Sequence, residues 1–186
     1  MNDSPDRAPE GSTHFLWKWR DPSHIEAHRA EFSRSVEDIL EELRPLVAST
    51  RPPADVLEVA ETTQDGTPRL DDARWVHADW QLSAVAGESG LRQVRTDGSE
   101  SFWGYRKGRH IPSHLCLGHR EPTRSVCLWG WWEREAFVIH TIYPGKAAPR
   151  EIHDPEISLA ALPAAIEFWR RHAIITTPGG YSTDPE

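Results

Sequence analysis

The stretch "SVCLWGWWEREAFVIHTIYPG", residues 125–145, has the pattern of two buried β-strands joined by a short connection. Large apolar and aromatic side chains fill both halves, and Arg134-Glu135 separates them. Aromatic and β-branched runs on either side of a short polar connection are typical of a hairpin. Pro144-Gly145 then predicts a sharp turn. We therefore expect the second strand of this hairpin to be a central strand of a sheet.

The segments on the N-terminal side of the hairpin continue the strand pattern and then change to a helical one. Strand-like segments, separated by Gly-rich and Asp-Gly turns, are 73–86, 91–96, 100–107 and 111–118. Residues 23–49 predict a helix capped by Ser23 with Glu26, which Pro45 ends or kinks. Its apolar stripe comprises Ile25, Phe32, Val36, Ile39, Leu40, Leu43 and Val47.

The remaining segments complete the predicted order of elements. Residues 51–61 read as a short Pro-led helix or a strand, and 64–72 as a loop. The segment "SLAALPAAIEFWRRHAII", residues 158–175, predicts a closing helix that carries Leu159, Leu162, Ile166 and Trp169. Helices followed by strands that do not alternate with helices favour the α+β class.

We therefore predict an α+β fold with an antiparallel sheet of about four to six strands, N-terminal helices and a closing C-terminal helix. A single domain is expected over residues 13–176, mainly helical over 13–72 and strand-rich with the last helix over 73–176. Residues 1–12 are expected to be a disordered leader, and 177–186 a flexible tail. The apolar stripe of the N-terminal helix should be buried against the sheet or the last helix.

Composition limits the classes of function. The chain has 186 residues and a net charge of −8, which does not favour general binding to nucleic acid or to an anionic membrane. Its two cysteines, Cys116 and Cys127, lie in apolar runs and are expected to be buried free thiols. No apolar stretch is long enough to span a membrane, and the polar N-terminus does not resemble a signal peptide. A soluble, cytoplasmic protein is expected, although a toxin exported without a signal would have the same composition.

The charge is unevenly distributed along the chain. Residues 101–124 hold five Lys or Arg, three His and one acidic residue, whereas 37–72 are strongly acidic. A solvated basic loop accounts for the first segment, but its Arg and His residues also suit a phosphate site. The candidates for binding are Arg106, Lys107, His110 and Ser113, together with Arg109 and His114. The four-residue spacing of His110 and His114 suits a metal pair on a helix, but Pro112 argues against that helix, so no metal or other cofactor is predicted.

The end of the second hairpin strand offers a second set of candidates. Thr141 and Tyr143 should share one face of the strand, and His140 and Ile142 the other. The two hydroxyls are either hydrogen-bonded core groups or donors to a phosphate. His172 is predicted near the C-terminus of the last helix, where the helix dipole would raise its pKa. Near the start of the chain, His14, Lys18 and Arg20 interleave with aromatic residues and fit either base stacking or an edge strand.

Four blocks, taken in order, resemble a widespread group of small uncharacterised bacterial proteins. The blocks are "FWGYRKGRHIPSHLCLG", the hairpin above, "APREIHDP" and "AIEFWRRHAII", which together cover about residues 100–175. The group's pattern is R-x-x-P-S-R, T-A-x-x-G, A-P-x-E-P-W-D-P and E-F-W-x-N-H-A-L. This chain has His114 in place of the Arg after Pro-Ser, and Ile152-His153 in place of Pro-Trp.

That group in turn resembles the barnase–EndoU–colicin–RelE class of metal-independent ribonucleases found among bacterial toxins. The resemblance implies helices packed on a four-stranded antiparallel sheet and a site built from His, Arg or Lys, and hydroxyl side chains on late strands. Carried over residue by residue, it implies Arg109, Ser113, Thr141 and Tyr143, with His114 or His172 as the acid or base. It also implies RNA as a partner, together with a cognate antitoxin or immunity protein.

The sequence leaves three functional hypotheses. The first is a metal-independent RNase-like protein, either a bacterial toxin or an effector, against which the net negative charge counts. The acidic segment 37–72 could cover the basic loop as an internal mimic of RNA. The second hypothesis is a non-enzymatic binding or accessory protein with a Trp-rich sheet as its interaction face. The third is a small-molecule enzyme of unassigned chemistry.

Overall fold

The structure is a computed structural model that describes residues 14–58, 67–69 and 72–185. The predicted leader, residues 1–12, lies outside these ranges, as does most of the predicted loop 64–72. The longest helix among the described residues has 13 residues, which is shorter than the roughly 20 needed to cross a bilayer.

Four helices and eleven strands make up the described part of the chain. The helices are α1 (Pro22–Arg29), α2 (Val36–Ala48), α3 (Ala54–Glu58) and α4 (Leu162–Arg171). The strands are β1 (Leu16–Trp19), β2 (Trp75–Gln81), β3 (Gly87–Ser89), β4 (Leu91–Gln93), β5 (Phe102–Arg106), β6 (Pro112–Leu117), β7 (Glu121–Thr123), β8 (Ser125–Trp132), β9 (Ala136–Pro144), β10 (His172–Thr176) and β11 (Tyr181–Ser182). The predicted α+β class is confirmed.

The first sheet has the strand order β1-β9-β8-β2, and the predicted hairpin β8–β9 forms its centre. β2 pairs with β8 along its whole length in antiparallel register, whereas β1 pairs with β9 in parallel. A strand that joins from the far N-terminal end of the chain can pair in either direction, and sequence pattern alone does not reveal which one.

The second sheet has the order β11-β5-β6-β10-β4, and a small pair, β3-β7, stands apart from it. β5 and β6 form an antiparallel hairpin, and β10 inserts in parallel beside β6. The segment 145–161 runs from the end of β9 to α4 and so connects the two sheets. The strands are therefore divided between two larger sheets, each of which contains one parallel pair.

The main core lies between α2 and one face of the first sheet. α2 buries its stripe of Val36, Ile39, Leu40, Leu43 and Val47 against the sheet residues Val126, Leu128, Trp132, Phe137, Ile139 and Ile142. Ile25 of α1 is buried in the same cluster, and Phe32 packs on it. The prediction that the N-terminal stripe packs on the sheet is thus confirmed. Both cysteines are buried and free, as expected.

The predicted helix over residues 23–49 is in fact two helices. Asp21, not Ser23, caps α1: its side chain accepts a hydrogen bond from the Ser23 backbone N–H at 2.9 Å, and Pro22 takes the first helical position. Ser35 caps α2 by accepting from Asp38 N–H at 3.1 Å. Pro45, predicted to end or kink the helix, lies inside α2, which continues to Ala48.

The C-terminal region also differs from the prediction. The closing helix ends at Arg171, and residues 172–176 leave it as β10, because Ile174 and Ile175 pair with β6. Of the four predicted apolar positions, Trp169 is buried, whereas Leu159 and Ile166 are exposed. The tail, predicted to be flexible from residue 177, contains β11, whose Tyr181 ring lies 4.7 Å from that of Phe102.

Candidate functional site

A β-bulge in β9 determines which side chains share the outer face of the first sheet. Trp129 pairs with Thr141, but the next residue, Gly130, pairs with Ile139, so His140 is the extra residue of the bulge. Ile139 and Ile142 are both fully buried on the α2 face. His140 was predicted on the face of Ile142 and lies instead beside Thr141, because the bulge interrupts the alternation of side chains.

Residues from the N-terminal segment meet His140 and Thr141 across the sheet edge. Because β1 runs parallel to β9, the Arg20 backbone N–H donates to the Ile139 carbonyl at 3.0 Å. α1 begins immediately afterwards and places His24 in its first turn. We call Arg20, His24, His140 and Thr141 the histidine cluster.

The contacts within the histidine cluster are polar and specific. Arg20 Nη1 lies 3.2 Å from His140 Nδ1, and His24 Nε2 lies 3.1 Å from Thr141 Oγ1. The two imidazole centroids are 6.4 Å apart. Because a guanidinium only donates hydrogen bonds, His140 Nδ1 is the acceptor and its proton is on Nε2. His24 and Arg20 are exposed, whereas His140 and Thr141 are half-buried, so the cluster is open to solvent on one side.

The surroundings of His140 favour its neutral form. Burial lowers the pKa of His140, and the nearby charges of Arg20 and His24 lower it further. At neutral pH this imidazole is therefore a proton acceptor, which is what a general base requires.

An aromatic patch adjoins the histidine cluster on the same face of the sheet. We define the patch as Trp75, His77, Trp129 and Trp131. The Trp129 ring lies 4.9 Å from His140 and 5.1 Å from His77, and Trp75 lies 4.9 Å from Trp131. Trp131 is buried, whereas the other three are partly or largely exposed. The patch and the cluster thus form one continuous surface that contains aromatic rings and the Arg20 guanidinium.

Two of the predicted basic residues of the β5–β6 hairpin, Arg106 and Arg109, converge on one carboxylate, Glu151. Its Oε1 lies 3.1 Å from Arg106 Nη2, 3.0 Å from Arg109 Nη1 and 3.2 Å from Ser113 Oγ. Glu151 is only 7% exposed. The two guanidinium groups therefore bind an internal anion. The acidic segment 37–72, which was suggested as a cover for this basic loop, instead packs on the first sheet through α2 where the structure describes it.

Two further predicted residues, His114 and His172, lie on neighbouring strands of the second sheet. His114 Nδ1 is 2.8 Å from the His172 carbonyl, and its ring packs on Trp103 at 5.0 Å. His172 stacks on Phe168 at 4.3 Å and borders a cleft of about 170 Å³ that Lys146 also lines. The pKa of His172 was expected to be raised by the helix dipole, but it is lowered, because burial outweighs the hydrogen bond with the Phe168 carbonyl.

The remaining candidates are Tyr143, Lys107 and His110. Tyr143 pairs with Cys127 across the sheet, and its hydroxyl accepts a hydrogen bond from Ala148 N–H at 3.4 Å. Burial and then the adjacent thiol raise the pKa of Tyr143, so its hydroxyl stays protonated. Lys107 and His110 are exposed in the β5–β6 loop. The predicted site residues are thus divided between the two sheets, with Thr141 and Tyr143 on one and Arg109, His114 and His172 on the other.

No match identifies the chain. No family model matches it, and neither a curated protein nor a solved structure does. The described residues contain no group of three or more His, Cys, Asp or Glu that could hold a metal ion.

Sequence reasoning missed His24 and assigned no role in the site to Arg20 or His140. Arg20 was noted only as part of the aromatic and basic segment near the start of the chain, and His140 only as a neighbour of Thr141 on its strand. His24 had the pattern of one polar position in a long helix. Its contact with Thr141 spans 117 residues. The available local signal was Asp21-Pro22, which starts a helix directly after a strand and so directs the first helical turn back over the sheet.

Proposed function

We propose that the chain is a metal-independent RNase-like protein and that the histidine cluster is its catalytic site. The observation that carries this proposal is the pair of imidazoles 6.4 Å apart, with Arg20 touching one and Thr141 touching the other. Cleavage of RNA without a metal needs a base for the 2′-hydroxyl, an acid for the leaving 5′-oxygen and a cation for the phosphate. Two histidines and an arginine supply these three functions.

The two histidines and Arg20 each have a role that follows from their surroundings. His140 is the base, because its depressed pKa keeps it neutral. A phosphate that accepts a hydrogen bond from Arg20 Nη1 takes the place of His140 Nδ1 as the acceptor of that bond. The lone pair of His140 Nδ1 is then available to accept the proton of the 2′-hydroxyl. His24, which is exposed, gives its proton to the 5′-oxygen as that bond to phosphorus breaks. The products are a 2′,3′-cyclic phosphate and a free 5′-hydroxyl.

The test is cleavage of a labelled single-stranded RNA in excess chelator. His140→Ala and His24→Ala should each lower the rate by about 100-fold or more, since general acid–base catalysis contributes 10²–10⁴. Thr141→Val keeps the shape of the side chain but removes the hydroxyl next to His24, and should also lower the rate. His119→Ala is the matched control. His119 is exposed and follows β6 of the second sheet, so this variant should cleave RNA at the normal rate.

Three results would count against this proposal. An intact fold that cleaves no RNA would exclude the enzyme. Loss of cleavage on adding chelator would point to a metal. Full activity in both histidine variants would move the catalytic site elsewhere, with Arg109, His114 and His172 of the second sheet as the next candidates.

The alternative is a non-enzymatic binding or accessory protein that uses the aromatic patch as its interaction face. The partial exposure of Trp75 and Trp129 favours it, because tryptophan is enriched at the centre of protein interfaces. The net charge of −8 also favours it over binding to a polyanion. An intact protein without nuclease activity would make this alternative the better one.

A further inference from the structure

We infer that the aromatic patch is a stacking subsite for an unpaired nucleobase, so that single-stranded RNA rather than duplex is the substrate. This inference rests on the proposed function for the identity of the ligand. It adds a substrate class and names Trp129 as the central binding residue.

The position of the patch carries the inference. The Trp129 ring stacks on His77 at 5.1 Å between centroids, meets the His140 ring edge to face at 4.9 Å, and lies 5.7 Å from Trp75. Successive nucleotides of a single strand lie a few ångströms apart, so a phosphate at the histidine cluster brings the neighbouring base to these rings. Bases stack on aromatic side chains whatever their sequence, because every base has a π face.

The charge beside the patch favours the same ligand, and an internal hydrogen bond orients one of its rings. Arg20 provides a positive charge next to the rings, on a molecule that is negative overall. The indole N–H of Trp75 donates to the Pro68 carbonyl at 3.1 Å, which fixes this ring at the side of the patch. A duplex keeps its bases stacked inside the helix, so it cannot use such a surface.

The experiment measures binding separately from cleavage. The probe is a fluorescein-labelled single strand of 2′-fluoro RNA, which lacks the attacking hydroxyl, and the comparison is the same strand in a duplex. Trp129→Leu should raise the Kd for the single strand by about 5- to 150-fold, the equivalent of about 1–3 kcal/mol of stacking. Trp129→Phe, which keeps a ring, should restore most of the affinity.

Trp103→Leu is the matched control. Trp103 is 41% exposed and also packs on a histidine, but it belongs to the second sheet. Its substitution should leave the Kd unchanged. Circular dichroism and thermal melting of each variant establish that the fold is retained, and the Phe variant keeps the test valid where the Leu variant unfolds.

The outcomes separate the two proposals. Strong binding through Trp129 without any RNA cleavage would support the subsite and overturn the catalytic site. Normal cleavage with unchanged binding in Trp129→Leu would overturn the subsite alone. Equal affinity for single strand and duplex would also overturn the subsite. No binding to either probe would overturn it as well, and would favour a protein as the partner of the patch.

Discussion

At the scale of single residues, Gly130 controls the geometry of the histidine cluster. It lies opposite the bulge of β9, and a Cβ atom at this position would be 2.2 Å from the Val138 carbonyl oxygen and 2.6 Å from the Phe137 ring. Only glycine allows the two strands to approach this closely. The bulge turns His140 to the outer face, so one missing side chain on β8 determines where an imidazole on β9 points.

Replacement of Gly130 by Ala should therefore lower the free energy of unfolding by about 1–3 kcal/mol, since overpacking at a rigid site costs this amount. Urea unfolding measures the change. Gly90→Ala is the control, because the nearest atom to a Cβ there is 3.8 Å away and belongs to the flexible Arg120 side chain. Equal stability of the two variants would show that the strands can separate to admit a methyl group.

The positive charge of Arg20 should control the protonation of His140. Removing it in Arg20→Gln takes away one of the influences that lower this pKa, so the pKa should rise toward 6.5, with burial still holding it down. A nuclear magnetic resonance titration of the imidazole Cε1–H signal measures this directly. The acid limb of any pH–rate profile should move upward with it, and an unchanged titration would mean that the guanidinium is too well screened by solvent to act.

At the scale of elements, α2 depends on burial rather than on intrinsic helix propensity. Leu43→Ala should cost about 2–5 kcal/mol, because Leu43 is fully buried between the helix and the first sheet. Leu46→Ala on the same helix is the control. Leu46 is 37% exposed, so its loss should change the free energy of unfolding by about 0.5 kcal/mol or less. Similar losses in both variants would contradict the packing of α2 described above.

The elements show how far sequence patterns reach. The β8–β9 hairpin and the α2 stripe could be predicted, because alternation and helical spacing express which face each residue buries. The break between α1 and α2 could not be predicted from the apolar stripe, because the stripe continues through it. The break depends on Ser35, whose side chain caps the N-terminus of α2. β10 follows α4 without a turn, because Ile174 and Ile175 pair with β6, a strand that is distant in the sequence. The histidine cluster could not be predicted, because it needs both the parallel docking of β1 and the bulge at His140.

At the scale of the whole molecule, stability should fall as the solution becomes acidic. The pKa values of His140 and His172 lie below 6.5 in the folded chain, so protonation favours unfolding as the pH falls through and below 6.5. Glu42 accepts hydrogen bonds from Ser83 N–H and Arg34, which lower its pKa from 4.5 to about 2. Its contribution is present above pH 4.5 and is lost between there and about pH 2.

Urea unfolding across this pH range tests the assignment to Glu42. Glu42→Gln should lower the free energy of unfolding at pH 7 by about 1–2 kcal/mol, a value reduced for solvent screening, and should flatten the part of the curve between pH 4.5 and 2. Glu37→Gln, at an exposed position on the same helix, should leave that part unchanged. An unaltered curve in Glu42→Gln would assign the acid sensitivity to other carboxylates.

The parallel pairing of β1 with β9 has a consequence for the order of events during protein synthesis. Arg20 and His140 are 120 residues apart in the chain. A ribosome adds about 5–20 residues each second, so roughly 6–24 s separate the appearance of the two halves of the histidine cluster. Throughout that interval the nascent chain has its first strand but no neighbour for it. The histidine cluster is therefore incomplete until most of the polypeptide has been made. Any nuclease activity that depends on the cluster cannot act on the translating ribosome or its message before then.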